Sequence, residues 1–259
     1  MNKFICCVRS AGVYAAFVLT ACIIFSSCLK DKNNDTGTNT PAAGLMVFNL
    51  ATDKPAVGFS IDGNSLTNVS LGYQSYNGGY AGIYPGQRMI DVYDFYSPSG
   101  TIASATGTFE NGKYYSAFLI GVGTNYRNVI VPDNFDSLTA TAGKSFVRYI
   151  NAIPDSLSVT DVSITATGSS AVTNPAPFGT VSTFAVINTG DINVAIKNNR
   201  GIDANRTFPV AERKLYTVLL TGIPGSVTTP VEIKYIENGT LDSTSKAAGT
   251  TGIAGAVIK

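Results

Sequence analysis

The sequence predicts an all-β protein: two tandem immunoglobulin-like β-sandwich domains behind an N-terminal export signal. Three observations carry that prediction. Past residue 45 the chain is rich in Tyr, Phe, Val, Ile and Thr and is punctuated at short intervals by Gly, Pro, Asn and Asp, the pattern of short strands in a sandwich or barrel. No segment shows a long 3.6-residue apolar period with caps. Four sequence blocks recur in one order roughly 100 residues apart, the size of one sandwich unit.

The N-terminus comes first. Lys3 and Arg9 precede a charge-free apolar run at residues 11–25, the layout of a secretory signal. The run is shorter than the roughly 20 apolar residues a spanning helix needs, and it breaks at Ser26 and Ser27. Phe25-Ser26-Ser27-Cys28 resembles a bacterial lipobox, in which signal peptidase cuts before a lipid-modified Cys. Leu19-Thr20-Ala21-Cys22 fits that pattern better by residue type, but a cut there leaves Ile23, Ile24 and Phe25 on the mature end. The resemblance implies a lipoprotein signal peptide at 1–27 and lipidation at Cys28, with Cys22 as the alternative. Residues 28–44 are then a lipidated, turn-rich tether. The partner it implies is the membrane, held through acyl chains on Cys28; each buried CH₂ contributes only about 0.8 kcal/mol, so anchoring takes more than one chain. Leu29-Lys30-Asp31-Lys32 resembles the export signal of Bacteroidota lipoproteins, with Lys32 in place of a second acid. It implies an outer-membrane lipoprotein exposed at the cell surface, the periplasm-facing orientation being the alternative.

Composition narrows the function classes. Cys6, Cys7, Cys22 and Cys28 all lie within the first 28 residues. Cleavage at Cys28 therefore leaves no disulfide or thiolate metal site in the folded part. Removing residues 1–27 removes Lys3 and Arg9 and no acid, which leaves 16 basic and 17 acidic residues among 232. No basic surface for nucleic acid is implied. The chain has no His, so Ser-His-Asp and Cys-His catalysis and every His-containing metal site are excluded.

The strands follow in order. The sequence "RMIDVYDFY" from Arg88 alternates, with Ile90, Val92 and Asp94 facing one way and Asp91, Tyr93 and Phe95 the other. "KYYSAFLIGVG" and "KLYTVLLTGIPG" are continuous apolar runs ended by Gly, as central strands are. "GYQSYNGGYAGIYPG" has tyrosines at helical spacing, yet its glycines and Pro85 predict an irregular strand and turn. The repeated blocks pair Asn49 with Asn151, Val92 with Val194, Tyr115 with Tyr216 and Gly121 with Gly222, at offsets of 102, 102, 101 and 101. "SLGYQSY" from Ser70 is matched to "PFGTVST" from Pro177. The expected domains are residues 45–140 and 145–245, joined within the small, polar segment 136–145. Residues 246–259 form a C-terminal tail or a final edge strand.

The blocks share Asn-x-x-x-Asp, an alternating strand, V-x-(L/F)-G, Pro-Gly before an Asp-Val strand, and Phe-x-x-Gly-Lys-x-Tyr. The first copy carries them as Asn49, Asp53, Pro55, Asp62-Gly63, Gly72, Pro85-Gly86 and Gly112-Lys113-Tyr114-Tyr115. The second has Asn151, Pro154-Asp155, Gly179, Gly190 and Tyr216, and departs at Ala211-Glu212-Arg213, where the last turn lacks its Gly. This resembles the domain of unknown function 4397, over residues 45–241 in two copies. The resemblance implies tandem β-sandwich modules in secreted and lipid-anchored bacterial proteins, and no agreed activity.

The search for chemistry ends in few candidates. Ala142-Gly143-Lys144-Ser145 imitates a P-loop but has Leu138 where the first Gly belongs. Asp31, Asn33 and Asp35 imitate an EF-hand, but Thr36 and Ala42 occupy its Gly and Glu positions. Asp53 and Asp155 offer a Ca²⁺ or sugar-hydroxyl contact, although closing a turn explains them more simply. Asp133-Asn134-Phe135-Asp136 reads as an exit turn. Asp91 and Asp94 face opposite ways, so they make no catalytic pair. No catalytic residue, metal site or cofactor is expected. The remaining lead is aromatic: Tyr73, Tyr76, Tyr80 and Tyr84, with Tyr93 and Tyr96 close behind. They read either as a platform for a glycan or peptide or as core residues and strand decoration. The expected function is a non-catalytic surface module, binding or structural, with a glycan or surface protein as partner. A carboxylate-dependent glycan hydrolase, or another envelope enzyme, is the alternative.

Overall fold

A computed structural model describes residues 42–154, 159–167 and 169–241. Cys28, Cys22, the signal and most of the tether, Asp155 and the tail at 246–259 lie outside them. The described residues are strands and turns with no α-helix; a short 3₁₀ turn occupies Phe135–Ser137.

The first half runs β1 (Ala43–Asn49), β2 (Val57–Ile61), β3 (Asn64–Ser65), β4 (Ser75–Tyr76), β5 (Ala81–Ile83), β6 (Gly86–Asp94), β7 (Ser97–Phe109), β8 (Tyr114–Val122) and β9 (Asn125–Pro132). One sheet has the order β4-β1-β8-β9, with β5 also on β1; the facing sheet is β3-β2-β6-β7. The second half runs β10 (Lys144–Asn151), β11 (Thr160–Ala166), β12 (Ser169–Ala176), β13 (Ala185–Asn188), β14 (Gly190–Lys197), β15 (Asp203–Val210), β16 (Lys214–Thr221) and β17 (Glu232–Thr240). Its sheets, β13-β10-β16-β17 and β12-β11-β14-β15, repeat the same plan. In both halves the first strand pairs in parallel with the long apolar one, β1 with β8 and β10 with β16. The other ladders are antiparallel.

The repeated residues perform the same task twice. Asn49 donates its side-chain amide to the carbonyls of Lys54 and Leu71 and accepts from the Ala51 amide. Asn151 donates to the Ala176 carbonyl and accepts from the Ile153 amide. Each Asn thereby satisfies backbone groups buried where the chain leaves one sheet for the other. Tyr115 and Tyr216 lie beside a turn and accept, through their hydroxyls, from the amides of Glu110 and Ala211 five residues upstream. This is the tyrosine corner of immunoglobulin-like sandwiches. At Gly121 and Gly222, φ is 118° and 102°, and an added Cβ would lie 2.0 Å from the carbonyl oxygen of Asn125 or Pro230.

Two sequence expectations change. Gln74 and Gly179 both donate their amide to the carbonyl of the repeated Asn, and both have positive φ. The equivalence in that segment is therefore Gln74 with Gly179, not Gly72 with Gly179. Tyr76 consequently answers to Val181, since Phe48 opposes Tyr76 as Ile150 opposes Val181. The missing glycine of the second copy leaves no change in the turn, because Arg213 itself takes φ 61° where Gly112 has 74°.

The four central strands explain their continuous apolar runs. On one face of β1 and β8, Leu45, Val47, Tyr115, Ala117 and Leu119 fill the first sandwich. Val147, Tyr149, Tyr216, Val218 and Leu220 fill the second in the same way. The opposite faces meet each other: Met46, Phe48, Leu50, Tyr76, Phe118 and Ile120 pack with Ile150, Ala152, Leu219 and Ile236 in one cluster. Strands buried on both faces do not alternate in polarity. The sandwiches are thus joined by a packed seam as well as by the covalent joint.

Candidate ligand-binding face

The structure separates the tyrosines. Tyr76 is only 8% exposed and stacks on Phe48 with ring centroids 5.5 Å apart. Burial, with some help from the charge of Glu237, pushes its hydroxyl up to about 12. Tyr80 sits edge-on to Tyr114 and Phe135 and donates its hydroxyl to Asp133. Burial, then the neighbouring Asp133 carboxylate, raises its pKa well above the ordinary value, so it remains a donor. Tyr73 is half-buried, and burial raises its pKa too. Tyr84 is 67% exposed. Tyr76 and Tyr80 belong to the seam, so the four do not form one exposed platform. The packed faces of the central sheets are the physical reason, because they need large apolar groups to fill the seam.

The acids are equally dispersed. Asp53 accepts from the Tyr126 hydroxyl at 2.6 Å and the Gly123 amide at 2.9 Å, closing the β8–β9 turn. Burial works against its charge, but these hydrogen bonds outweigh it and hold the pKa below the ordinary value. Asp133 is fully buried beside Arg148, 2.5 Å from Nη1, and also accepts from Ser116. It is an internal counter-ion to Arg148. Asp136 pairs with Lys113, whose hydrogen bond lowers its pKa despite some desolvation. Asp94 accepts from the amides of Tyr96 and Ser97 and shapes the β6–β7 turn. Lys144 opens β10 and bonds Asn188, so Gly143-Lys144-Ser145 leads into a strand and not a phosphate-binding helix.

The outer face of the β3-β2-β6-β7 sheet is open to solvent. It carries a groove of about 560 Å³. Ser60, Ser65, Thr67, Asn68 and Thr101 surround it with polar groups, Asp91 and Tyr93 rise from β6, and Phe95 and Pro98 form an apolar wall. Strand alternation builds this face: Ile90 and Val92 point into the core, so Asp91 and Tyr93 point out. Register shifts on either side of Tyr93 leave residues 98–100 outside the ladder, between Ser97 and Thr101. Such an irregularity re-aims the side chains around it.

The central feature is a pair of residues. Tyr93 lies directly across from Gly58 in the ladder. A Cβ on Gly58 would lie 2.4 Å from the Tyr93 Cζ, so the ring occupies the space a side chain would take. A ring laid over the strand in this way keeps its other face toward the groove. The second half has Ser163 opposite Ala195, with neither the gap nor the ring. The alternation of Asp91 and Tyr93 was visible in the sequence. The role of Gly58 was not drawn from it, although a lone Gly inside a strand is a signal of close approach.

Among the comparisons with known proteins, no curated protein matches the chain. A solved structure described as "Alpha-glucan binding by a streptococcal virulence factor" is similar at 10% identity, over 73% of this chain and 97% of that one, with a TM-score of 0.21. A likeness of that size carries no argument about this chain. Residues 43–163, which span the first sandwich, β10 and the start of β11, match the model of the family described as a domain of unknown function, DUF4397.

Proposed function

We propose that the chain is a non-catalytic module of the cell surface, anchored by lipid on Cys28, that binds a glycan or a protein partner through the outer face of its first sandwich. The observation that carries the binding part is the groove at Tyr93, where an aromatic ring, hydroxyls, an amide and one carboxylate converge on an unobstructed sheet face. The anchoring part, at the outer membrane and facing outward, rests on the charge-free run that ends at Cys28 and the polar segment beyond it. Support for a non-catalytic role is that the groove is lined by a single carboxylate, Asp91, whereas hydrolysis by acids alone uses two, about 5–10 Å apart.

Two measurements test this reading separately. Cys28→Ala should move the mature chain from the membrane fraction to the soluble one; membrane retention at the wild-type level would refute the anchor. Tyr93→Ala should weaken whatever binding the full chain shows, while Tyr84→Ala, at an exposed tyrosine that does not line the groove, should leave it unchanged. Equal binding by wild type and Tyr93→Ala would remove the groove from the proposal.

A further inference from the structure

We infer that the groove on the first sandwich takes a neutral glycan, with one sugar ring stacked on the open face of Tyr93 and its hydroxyls met by Asp91, Ser60 and Asn68. The inference rests on the binding reading above and names its ligand class.

The first argument is what the groove floor offers. It is a sheet face, not an edge. Ser60 pairs with Asp91, and Asp91 with Ser104; Gly58 pairs with Tyr93, and Tyr93 with Thr101. An extended peptide recognised by strand addition needs free backbone groups at an edge. Here recognition falls to side chains, and those are hydroxyls, an amide and a carboxylate. Some are already committed: Thr67 accepts from the Phe59 amide, and Ser65 donates to the Thr67 carbonyl. Asp91 accepts from Ser104 through one oxygen, which leaves the other for a ligand hydroxyl. A ligand made of hydroxyl groups is the chemical complement of this set.

The second argument is charge. No Lys or Arg lines the groove, and Asp91 is its only acid. A phosphate, sulfate or uronate would meet a like charge with no cation to offset it. One carboxylate is also a poor cage for Ca²⁺, which takes six to eight oxygen ligands. A neutral polar ligand meets neither objection.

The third argument is shape. The Gly58 gap holds the Tyr93 ring down on the strand, so its outward face is rigid and presented at little entropic cost. Phe95 and Pro98 add apolar wall beside it. The volume of about 560 Å³ falls in the range of roughly 300–1,000 Å³ typical of small-ligand sites. Ala195, Ser163 and Asn193 stand at the corresponding places on the outer sheet of the second half, so among the described residues the second half does not repeat the site.

The test is calorimetric titration of the full chain in detergent with neutral polymers (galactomannan, arabinoxylan and dextran), the anionic polymer polygalacturonate and a mixed peptide pool. At least one neutral polymer should bind at one site per chain. Tyr93→Ala should weaken that binding about tenfold or more, the scale of one lost aromatic anchor. Tyr93→Phe should retain most of it, and Asp91→Asn should reduce it with an unchanged melting temperature. The Asn variant keeps the test decisive if Tyr93→Ala is destabilised by uncovering Gly58. If polygalacturonate or peptide binds instead, and the groove variants abolish that, the groove stands and the neutral-glycan class falls. Neutral binding that survives Tyr93→Ala and Asp91→Asn alike would overturn the groove itself. Failure of every neutral polymer to bind also overturns the ligand class.

Discussion

At the scale of single residues, the seam shows how two similar halves become different. Ser116 donates to Asp133 in the first half, and Thr217 donates to Asn238 in the second. Met46 lies near Asn238, its sulfur 3.9 Å from the amide nitrogen, while Arg148, which occupies the Met46 position of the second copy, pairs with Asp133. Both pairs cross the seam: Met46 of the first half meets Asn238 of the second, and Arg148 of the second meets Asp133 of the first. Arg148 is held further by Thr217 and Ser116 and lies over the Phe184 ring. Removing one member of a buried pair costs about 3–5 kcal/mol, whereas replacing both is often neutral. Asp133→Asn alone should thus lower stability by about that amount, because the Arg cannot lose its proton. Adding Arg148→Met should recover most of the loss, since both cross-seam pairs are then a Met and an Asn. Denaturant titration of the three variants measures this; a double variant no more stable than Asp133→Asn would refute it.

At the scale of elements, the turns before the long central strands are where the two copies use different residues for one conformation. Gly112 precedes β8 with positive φ at no steric cost, but Arg213 precedes β16 in the same left-handed region. That conformation costs a side-chain-bearing residue about 1–2 kcal/mol. Glycine's greater freedom in the unfolded chain offsets part of the gain. Arg213→Gly is expected to stabilise the protein by about 1 kcal/mol, or roughly 2–4 °C in melting temperature for a chain of this size. A lower melting temperature would show that the Arg213 side chain contributes more than its backbone costs. The tyrosine corner next to this turn should persist, because Tyr216 accepts from the Ala211 amide and not from Arg213.

At the scale of the whole molecule, the seam decides whether the halves act as one body. Phe48, Phe118, Ile120, Ile150 and Leu219 are buried between the sheets. Gln74 reaches across to Thr221 and Glu232 at 2.9 and 3.0 Å, and Arg127 donates to the Phe178 carbonyl. The connecting segment 139–143 is largely exposed and is a natural site for a protease. A single cut there should produce two fragments that stay together on native size exclusion and part only in denaturant. Fragments that separate without denaturant would show that the seam does not hold them. The proposed ligand face lies on the sheet of the first sandwich that faces away from the seam, so the cut should leave the proposed glycan binding unchanged.

Some of this was determined by the sequence alone. Alternation in β6 and the glycine-ended apolar runs in β8 and β16 are local patterns that follow from strand geometry, and the offsets of 101 and 102 are a repeat legible along the chain. They were enough for an all-β sandwich plan and for placing Asp91 and Tyr93 on one face. Tertiary structure decided the rest. A continuous apolar strand looks the same whether its second face meets a neighbouring sandwich or a ligand, so the fates of Tyr76 and Tyr80 could not be read from their spacing. The two-residue shift around Gln74 is set by the amides that reach the Asn49 and Asn151 carbonyls, which the sequence does not encode locally. The Gly58–Tyr93 pairing joins residues 35 positions apart, and no local pattern encodes which strand lies beside which. The proposed binding face was thus written in the sequence as separate residues and assembled only by the ladder.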